Sequence, residues 1–409
     1  MSLQLTRDGW ILLSARCLRM FAFGLLSVVL VLYLAKVGLT DWEIGLLLSL
    51  TMAGDTLISL WLTTTADRFG RRNILMVGAI LMMLSGIVFL STNNFLWLLI
   101  GATLGVISPS GNEIGPFLSV EQAALSQILS DDRRTSVFAW YNLAGSFSTA
   151  LGAFAGGWMA STSTRFGMIG ATTYYPVLVA YSTIGLAMIV GFVFLSAAIE
   201  TRPESKSWVS NNAMFGLHES RGPVFKLSLL FALDALGGGF VIQSVIAYWF
   251  YLRFHLDPVR LGTIFLFANL LAGVSALAAG WLARRVGLIN TMVFTHLPSN
   301  LFLILVPLMT DLDWAIGILL LRFSISQMDV PARQAYTMAI VRPDERSAAA
   351  GVTAVARSVG ASISPMLATI LVGTGGWMNM PFFLAGGLKI AYDLILYRAF
   401  SSNCSQKGK

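Results

Sequence analysis

Apolar runs of about twenty residues recur along this chain, the length a helix needs to cross a hydrocarbon layer about 30 Å thick. They lie at approximately 10–35, 43–65, 73–91, 95–116, 135–160 and 174–198. After a polar connection they resume at approximately 224–252, 259–283, 288–310, 314–332, 347–372 and 377–398. Six runs, a linker and six more predict an all-α membrane protein of twelve transmembrane helices in two six-helix bundles. The bundles are expected at 1–198 and 224–409, with a cytoplasmic linker at 199–223 and a short tail after the last run. Composition agrees: 11% of the 409 residues are charged, against roughly 25% in soluble proteins. A water-exposed body of this size would lack the charge to cover itself, whereas lipid accepts apolar side chains on the outside.

Lys and Arg set the orientation of such a chain. With the N-terminus inside, the inner segments hold eighteen of them: Arg7, Arg68, Arg71, Arg72, Arg133, Arg134, Arg202, Lys206, Arg221, Lys226, Arg284, Arg285, Arg333, Arg342, Arg346, Arg398, Lys407 and Lys409. The outer segments hold Lys36, Arg165, Arg253 and Arg260. Both termini are therefore expected in the cytoplasm, in an inner or plasma membrane. The first run is too long for a signal-peptide core and is expected to be retained. The net charge of +7 is scattered over short loops, which argues against nucleic acid as a partner. Cys17 and Cys404 are too far apart in sequence and setting to suggest a disulfide or a zinc site.

The halves echo each other. A shift of 212 residues carries Gln122-Ala123 onto Gln334-Ala335 and Arg134 onto Arg346, and a shift of 217 carries Gly70 onto Gly287. Duplicated membrane bundles are a transporter pattern, because rocking one half against the other gives alternating access.

Ala66-Asp67-Arg68-Phe69-Gly70-Arg71-Arg72, at the inner end of the second run, resembles the loop motif of the major facilitator superfamily, with Thr63 where that motif has its leading glycine. Gly280-Trp281-Leu282-Ala283-Arg284-Arg285-Val286-Gly287 echoes it in the second half. The resemblance covers essentially the whole chain. It implies that Asp67, with Arg71, locks the inner side against the start of span eleven near Ser347, where a helix N-terminus favours negative charge. Arg284 stands where the repeat would need an aspartate, so the lock is expected to be asymmetric. Arg322-Phe323-Ser324-Ile325-Ser326-Gln327 in span ten resembles the family's Arg-x-x-x-x-Gln stretch, although that stretch belongs to span four, where Ser110 stands here. Gly152-Ala153-Phe154-Ala155-Gly156-Gly157 resembles the antiporter motif without its proline.

An ionisable side chain at the bilayer centre costs from about 2.5 to over 10 kcal/mol, so each one needs a partner or a wet cavity. The candidates are Arg16, Arg19, Asp55, Glu113, Asp234, Arg322, Asp329, Arg357, Lys389 and Asp393. By family architecture spans one, four, seven and ten line the central cavity, which implicates Arg16, Arg19, Glu113, Asp234 and Arg322. Arg16 and Arg19 share a helical face and call for an anion. Glu113, Glu121, Asp329 or an anionic substrate would each serve. Two prolines and two glycines in Ser108–Pro116 must break span four, which brings Asn112 and Glu113 forward as cavity residues. Asp234 precedes Gly237-Gly238-Gly239 and Gln243 in span seven, a run that suits a gate or close packing alike. Asp55 lies twelve residues before Asp67, and Arg357 ten after Ser347. Their depths of about 18 and 15 Å predict an ion pair across the halves that opens during transport. Lys389 and Asp393, four apart, are expected to neutralise each other.

His218, His255 and His296 fall in or near loops without a nucleophile or metal-ligand set, and no phosphate-cradling loop is present. The expectation is a transporter, neither an enzyme nor an ATPase, with no cofactor, working as a monomer in the bilayer on a small-molecule substrate and protons. The leading expectation is proton-coupled efflux of an organic or toxic compound. A carrier of anions bound by Arg16, Arg19 and Arg322 is the alternative, and a transporter-fold receptor or lipid translocase is the alternative of another class.

Overall fold

A computed structural model describes residues 5–112, 117–129, 131–200, 217–342 and 345–404, apart from the side chains of 64–68, 131–136, 347 and 401–404. The elements are helices: α1 (Arg7–Val37), α2 (Asp41–Phe69), α3 (Arg71–Ser91), α4 (Phe95–Leu104), α5 (Phe117–Ile128), α6 (Asp131–Arg165), α7 (Tyr175–Val193), α8 (Arg221–Gly239), α9 (Gln243–Phe254), α10 (Pro258–Val286), α11 (Leu288–Leu305), α12 (Leu312–Phe323), α13 (Asp329–Ile340), α14 (Arg346–Gly373) and α15 (Met380–Cys404). Their starts are set by sequence. Thr6 accepts from the Gly9 amide, Asp311 caps α12, and Thr40 with Glu43 forms a reciprocal capping box on α2.

Among the described residues, nine stretches are long and apolar enough to cross a membrane. They are Arg7–Val37, Asp41–Thr63, Arg71–Ser91, Gly170–Val193, Arg221–Phe254, Pro258–Val286, Leu288–Leu308, Ala348–Gly373 and Met380–Phe400. Large apolar side chains stand exposed along them, Leu57, Phe225 and Leu229 each by more than 60%. The three further runs in the sequence count fall on α4, on α6 (rich in Gly, Ser and Thr), and on α12.

The chain forms two compact units. One holds α1–α7 together with α9 and α10 as far as Leu266; the other holds α8, α10 from Phe267, and α11–α15. Residues 243–266, which lie in the second sequence half, thus belong with the first unit.

In the first unit α1 lies against α6 at backbone contact. A Cβ at Gly152 would meet the Phe21 carbonyl oxygen at 2.0 Å, one at Gly156 the Leu25 oxygen at 2.4 Å, and one at Gly24 the Thr149 oxygen at 2.2 Å. The glycine run that resembles an antiporter motif is physically the surface that lets these helices touch. The second unit repeats the device between α8 and α14: a Cβ at Gly360 would meet Ala232 oxygen at 2.2 Å, and one at Gly239 the Ala361 oxygen at 2.5 Å. A shift of 215 relates Gly24 to Gly239 and Gly145 to Gly360. The turns joining α2 to α3 and α10 to α11 repeat as well, with Gly70 at φ 89° and Gly287 at φ 88°, a region other residues rarely enter.

Three expected spans are interrupted. The run expected as span four keeps helix only in α4, with α5 starting at Phe117 one residue past its expected end, and span seven divides into α8 and α9 after its glycine run. Span ten also divides, into α12 and α13, although Ser324–Met328 contains neither proline nor glycine. Helices α5 and α13 begin and end 212 residues apart, the shift already visible in Gln122-Ala123 and Gln334-Ala335.

Gly156→Ala should push α1 off α6 and lower the unfolding temperature in detergent, by an overpacking cost of about 1–3 kcal/mol. Gly387→Ala, where a Cβ meets nothing within 4 Å, should not destabilise. Equal behaviour of the two variants would show that the close approach of α1 and α6 is not needed.

Candidate functional site

Each unit buries a charged cluster between helices that correspond in the repeat. In the first, Arg19 on α1 donates two hydrogen bonds to Glu121 on α5, Nη1 to Oε1 at 2.7 Å and Nη2 to Oε2 at 2.9 Å. Both side chains are fully buried. The Tyr141 hydroxyl of α6 donates to Glu121 Oε2, and Phe117 lies under the Arg19 guanidinium at 4.4 Å. Arg16, one turn earlier, donates from Nε to the Tyr141 carbonyl at 2.9 Å and from Nη2 to Asn142 Oδ1 at 3.3 Å, over the Tyr141 ring. Gly145 leaves the room, since a Cβ there would sit 2.8 Å from Arg16 Nε. The anion that Arg19 calls for is thus supplied inside the protein by Glu121, while Arg16 meets the neutral Tyr141 carbonyl and Asn142 amide oxygens.

In the second unit Asp234 on α8 is the hub. Lys389 Nζ of α15 lies 2.6 Å from its Oδ1, Arg333 Nη1 of α13 lies 3.0 Å from its Oδ2, and His296 Nε2 of α11 lies 3.7 Å from Oδ1. Arg333 also pairs with Asp329 at 3.1 Å. On the far side of the ring, His296 Nδ1 lies 2.9 Å from Asp393 Oδ1, and Asn300 Nδ2 donates to Asp393 Oδ2 at 2.9 Å. Three expectations change here. Arg333, counted with the inner loops, is 4% exposed inside α13, which takes it out of that count. Lys389 pairs with Asp234, and Asp393 goes to His296 and Asn300, because the facing helices offer closer partners than the next turn. His296 lies inside α11, 5% exposed, and not near a loop.

The two clusters are the same pair with the signs exchanged. A shift of 215 carries Arg19 onto Asp234, and a shift of 212 carries Glu121 onto Arg333. The cation sits on the first helix, α1, in one unit and on α13, the counterpart of α5, in the other.

The remaining predicted residues divide by setting. Asn112 is exposed in the broken part of span four, where the Ser108 hydroxyl donates to its carbonyl at 2.8 Å. Gln243, at the start of α9, donates to Ser27 Oγ of α1 at 2.7 Å, and the Ser244 amide donates to the Pro109 carbonyl at 3.2 Å, so α9 is tied both to α1 and to this break. Val106, a β-branched residue at φ 55°, marks strained backbone beside it. Asp55 is half-buried on α2 and accepts from Ser59 at 3.3 Å. Arg357 is half-buried on α14, in the field of Asp234 and Asp329; it and Asp55 fall in different units. Arg322 is half-buried at the end of α12; its Nε is buried with no hydrogen-bond partner among the described residues, and its guanidinium lies 5.0 Å from the Phe323 ring. Gln327 is half-buried in the break that follows. Glu113 and the Asp67 side chain lie outside the described residues. Arg71 donates to Gln127 Oε1 at 2.7 Å and to the Ile199 carbonyl at 3.0 Å, while Glu200 accepts from the Arg71 and Arg72 amides at the start of α3.

A family model described as Major Facilitator Superfamily matches residues 12–328. The chain belongs to the major facilitator superfamily. It is 30% identical, over 96% of its length and 93% of the other's, to a Saccharomyces cerevisiae protein named as the uncharacterized membrane protein YJR124C. It is 28% identical to the quinolone resistance protein NorA of Staphylococcus aureus over 142 residues, 35% of each chain. Two solved structures share the fold at a TM-score of 0.74. A bacterial homolog of the human lysosomal transporter Spinster, inward-facing and unoccupied, is 14% identical and matches over 97% of both chains. A bacterial homologue of the iron transporter ferroportin, inward-facing, is 13% identical and matches over 97% of this chain and 99% of its own. The major facilitator fold makes this a multi-pass integral membrane protein and points to secondary transport in place of enzymatic catalysis.

Two expectations follow from the geometry. Glu121→Gln leaves Arg19 buried without a counter-charge and should cost about 3–5 kcal/mol, while Arg19→Met combined with Glu121→Gln should recover most of that. A double variant as unstable as the sum of the singles would show that the two groups act independently. Outside the spans, buried Glu345 accepts from the Ser220 hydroxyl and from the amides of His218, Glu219 and Ser220 at the start of α8. The Ser220 hydroxyl first, then these amides, hold its carboxyl down at about 2 from the ordinary 4.5. A depressed carboxyl contributes stability above its ordinary value and loses it as pH falls. Glu345→Gln should therefore lower the unfolding temperature at pH 7, with the gap to native closing as pH falls from 4.5 toward 2. A gap that does not change with pH would contradict the capping role.

Proposed function

We propose that the chain is a proton-coupled carrier that exports a small organic molecule by rocker-switch alternating access. The observation that carries this reading is the Asp234 cluster. Burying carboxylates, cations and a histidine together among candidate membrane spans is expensive. Groups of this kind at membrane depth are the material of proton relays, and a histidine beside carboxylates can change charge near neutral pH. Export is supported by the likeness to NorA, because removing a quinolone from the cell is one way a membrane protein confers resistance to it. The glycine run Gly152–Gly157 supports it further. The reading places both termini in the cytoplasm of an inner or plasma membrane, takes the monomer as the working unit, and gives Asp55, Asp67, Arg71 and Arg357 gating roles in the cycle.

One observation favours a second reading, a carrier of small anions. Arg16 and Arg19 are engaged by Tyr141, Asn142 and Glu121, but the buried Nε of Arg322 has no described partner. A solute carboxylate or phosphate would supply one. On this reading Arg322 alone, of the three arginines, binds the solute.

Purified protein in liposomes, given a fluorescent quinolone and a pH gradient, tests both. Accumulation against the quinolone gradient that collapses with a protonophore is the expected result. Transport that ignores the pH gradient would refute proton coupling. Anionic solutes carried in place of the quinolone, with loss on Arg322→Gln, would decide for the second reading.

A further inference from the structure

The imidazole of His296 is held from both sides by carboxylates, and the two contacts are unequal. Nδ1 lies 2.9 Å from Asp393 Oδ1, a hydrogen-bond distance, whereas Nε2 lies 3.7 Å from Asp234 Oδ1. An ionised carboxylate only accepts, so the short contact places the proton of the neutral ring on Nδ1. Asn300 Nδ2 donates to the other Asp393 oxygen at 2.9 Å and also lies 3.2 Å from Nδ1, so the shorter Asp393 contact is the one that sets the tautomer. Nε2 is then left with its lone pair directed toward a carboxylate oxygen. A lone pair facing a carboxylate is an unfavourable neighbour; an N–H there is a favourable one.

We propose that Nε2 of His296 is the carrier's proton-binding site and that Lys389 is the cation a bound proton displaces from Asp234. A proton from the aqueous phase forms one N–H bond on Nε2, and the reverse step breaks it. The ring then carries a positive charge and competes for Asp234 Oδ1, the oxygen that Lys389 Nζ holds at 2.6 Å. The charge balance makes the site responsive. Asp234 on α8, Asp329 and Arg333 on α13, Arg357 on α14, and Lys389, Tyr392 and Asp393 on α15 surround it, and α12, packed on α11, carries Arg322. Asp234, Asp329 and Asp393 balance Arg333, Arg357 and Lys389, so one proton brings this set to a net charge of +1. Lys389 also rests on the glycine run that ends α8: a Cβ at Gly237 would lie 3.0 Å from Lys389 Cγ, and one at Gly238 3.7 Å from Nζ. Releasing Lys389 from Asp234 therefore frees its side chain at the break in span seven. The link from proton to backbone is a contact between named atoms.

The inference rests on the proton-coupled reading and deepens it. Full-length protein labelled with 15N-histidine has three rings, His218, His255 and His296, and the His296 signals are assigned by their loss in His296→Gln. The expected spectrum shows the Nδ1–H form at high pH, protonation of Nε2 as pH is lowered, and a change to the Nε2–H form in Asp393→Asn. A ring with the Nε2–H form in native protein, or one that keeps a single form from pH 5 to 9, overturns the site. In liposomes, His296→Gln that still unfolds cooperatively in detergent should lose accumulation driven by a pH gradient. Gradient-driven accumulation at the native level in that variant overturns the coupling role. Nε2 protonation in a native carrier whose transport ignores the pH gradient would overturn the proton-coupled reading itself, which separates the two failures.

Discussion

A charge inside a membrane protein needs a partner or water, and in this chain an opposite charge supplies it twice at one repeated position. Arg19 and Glu121 do it in the first unit, Asp234 and Arg333 in the second. Each pair joins the first helix of its unit to the segment that follows a break in a later span. Without the partner, the remaining charge would face the full desolvation cost of its burial. The close approach of α1 to α6, and of α8 to α14, depends on the same helices being held in register, since the glycine contacts leave no slack for a slipped turn.

The exchange of sign between the units shows what the duplication has kept and what it has released. The position of a pair is kept, as are the glycine crossings and the positive-φ turns at Gly70 and Gly287. The polarity is not. In the second unit α11 and α15 bring His296 and Lys389 to the α8 carboxylate, with Asp393 behind the ring, whereas Glu121 meets Arg19 and the Tyr141 hydroxyl. One cluster is closed by hydrogen bonds on both sides; the other contains a ring nitrogen with room for a proton.

The fold was legible in the sequence because its cause is local. Apolar runs of membrane length, polar breaks and a basic inner loop each act within one segment. The charged residues themselves were legible for the same reason, since any ionisable group in such a run stands out. Their pairing was not. Glu121 was one of four candidates for Arg19, Lys389 was assigned to its own helix in place of Asp234, and His296 and Arg333 were placed with the loops. Helix-to-helix partners depend on which faces meet, and no spacing within one helix reports that. The 212-residue shift held the missing information: Gln122 on Gln334 implies Glu121 on Arg333, an opposite-charge replacement at equivalent positions. The break in span ten was missed because Ser324–Met328 contains no residue that forbids a helix, whereas Pro109 and Gly111 announce the break in span four.

The central claim is that this repeated position requires a pair of opposite charge and is indifferent to which helix carries which sign. Transposing the first pair tests it most directly, with Arg19→Asp and Glu121→Arg combined to give the first unit the polarity of the second. Thermal unfolding of the purified protein in detergent should find either single substitution severely destabilised and the transposed protein restored to within a few degrees of native. A transposed protein no more stable than the single variants would contradict the claim.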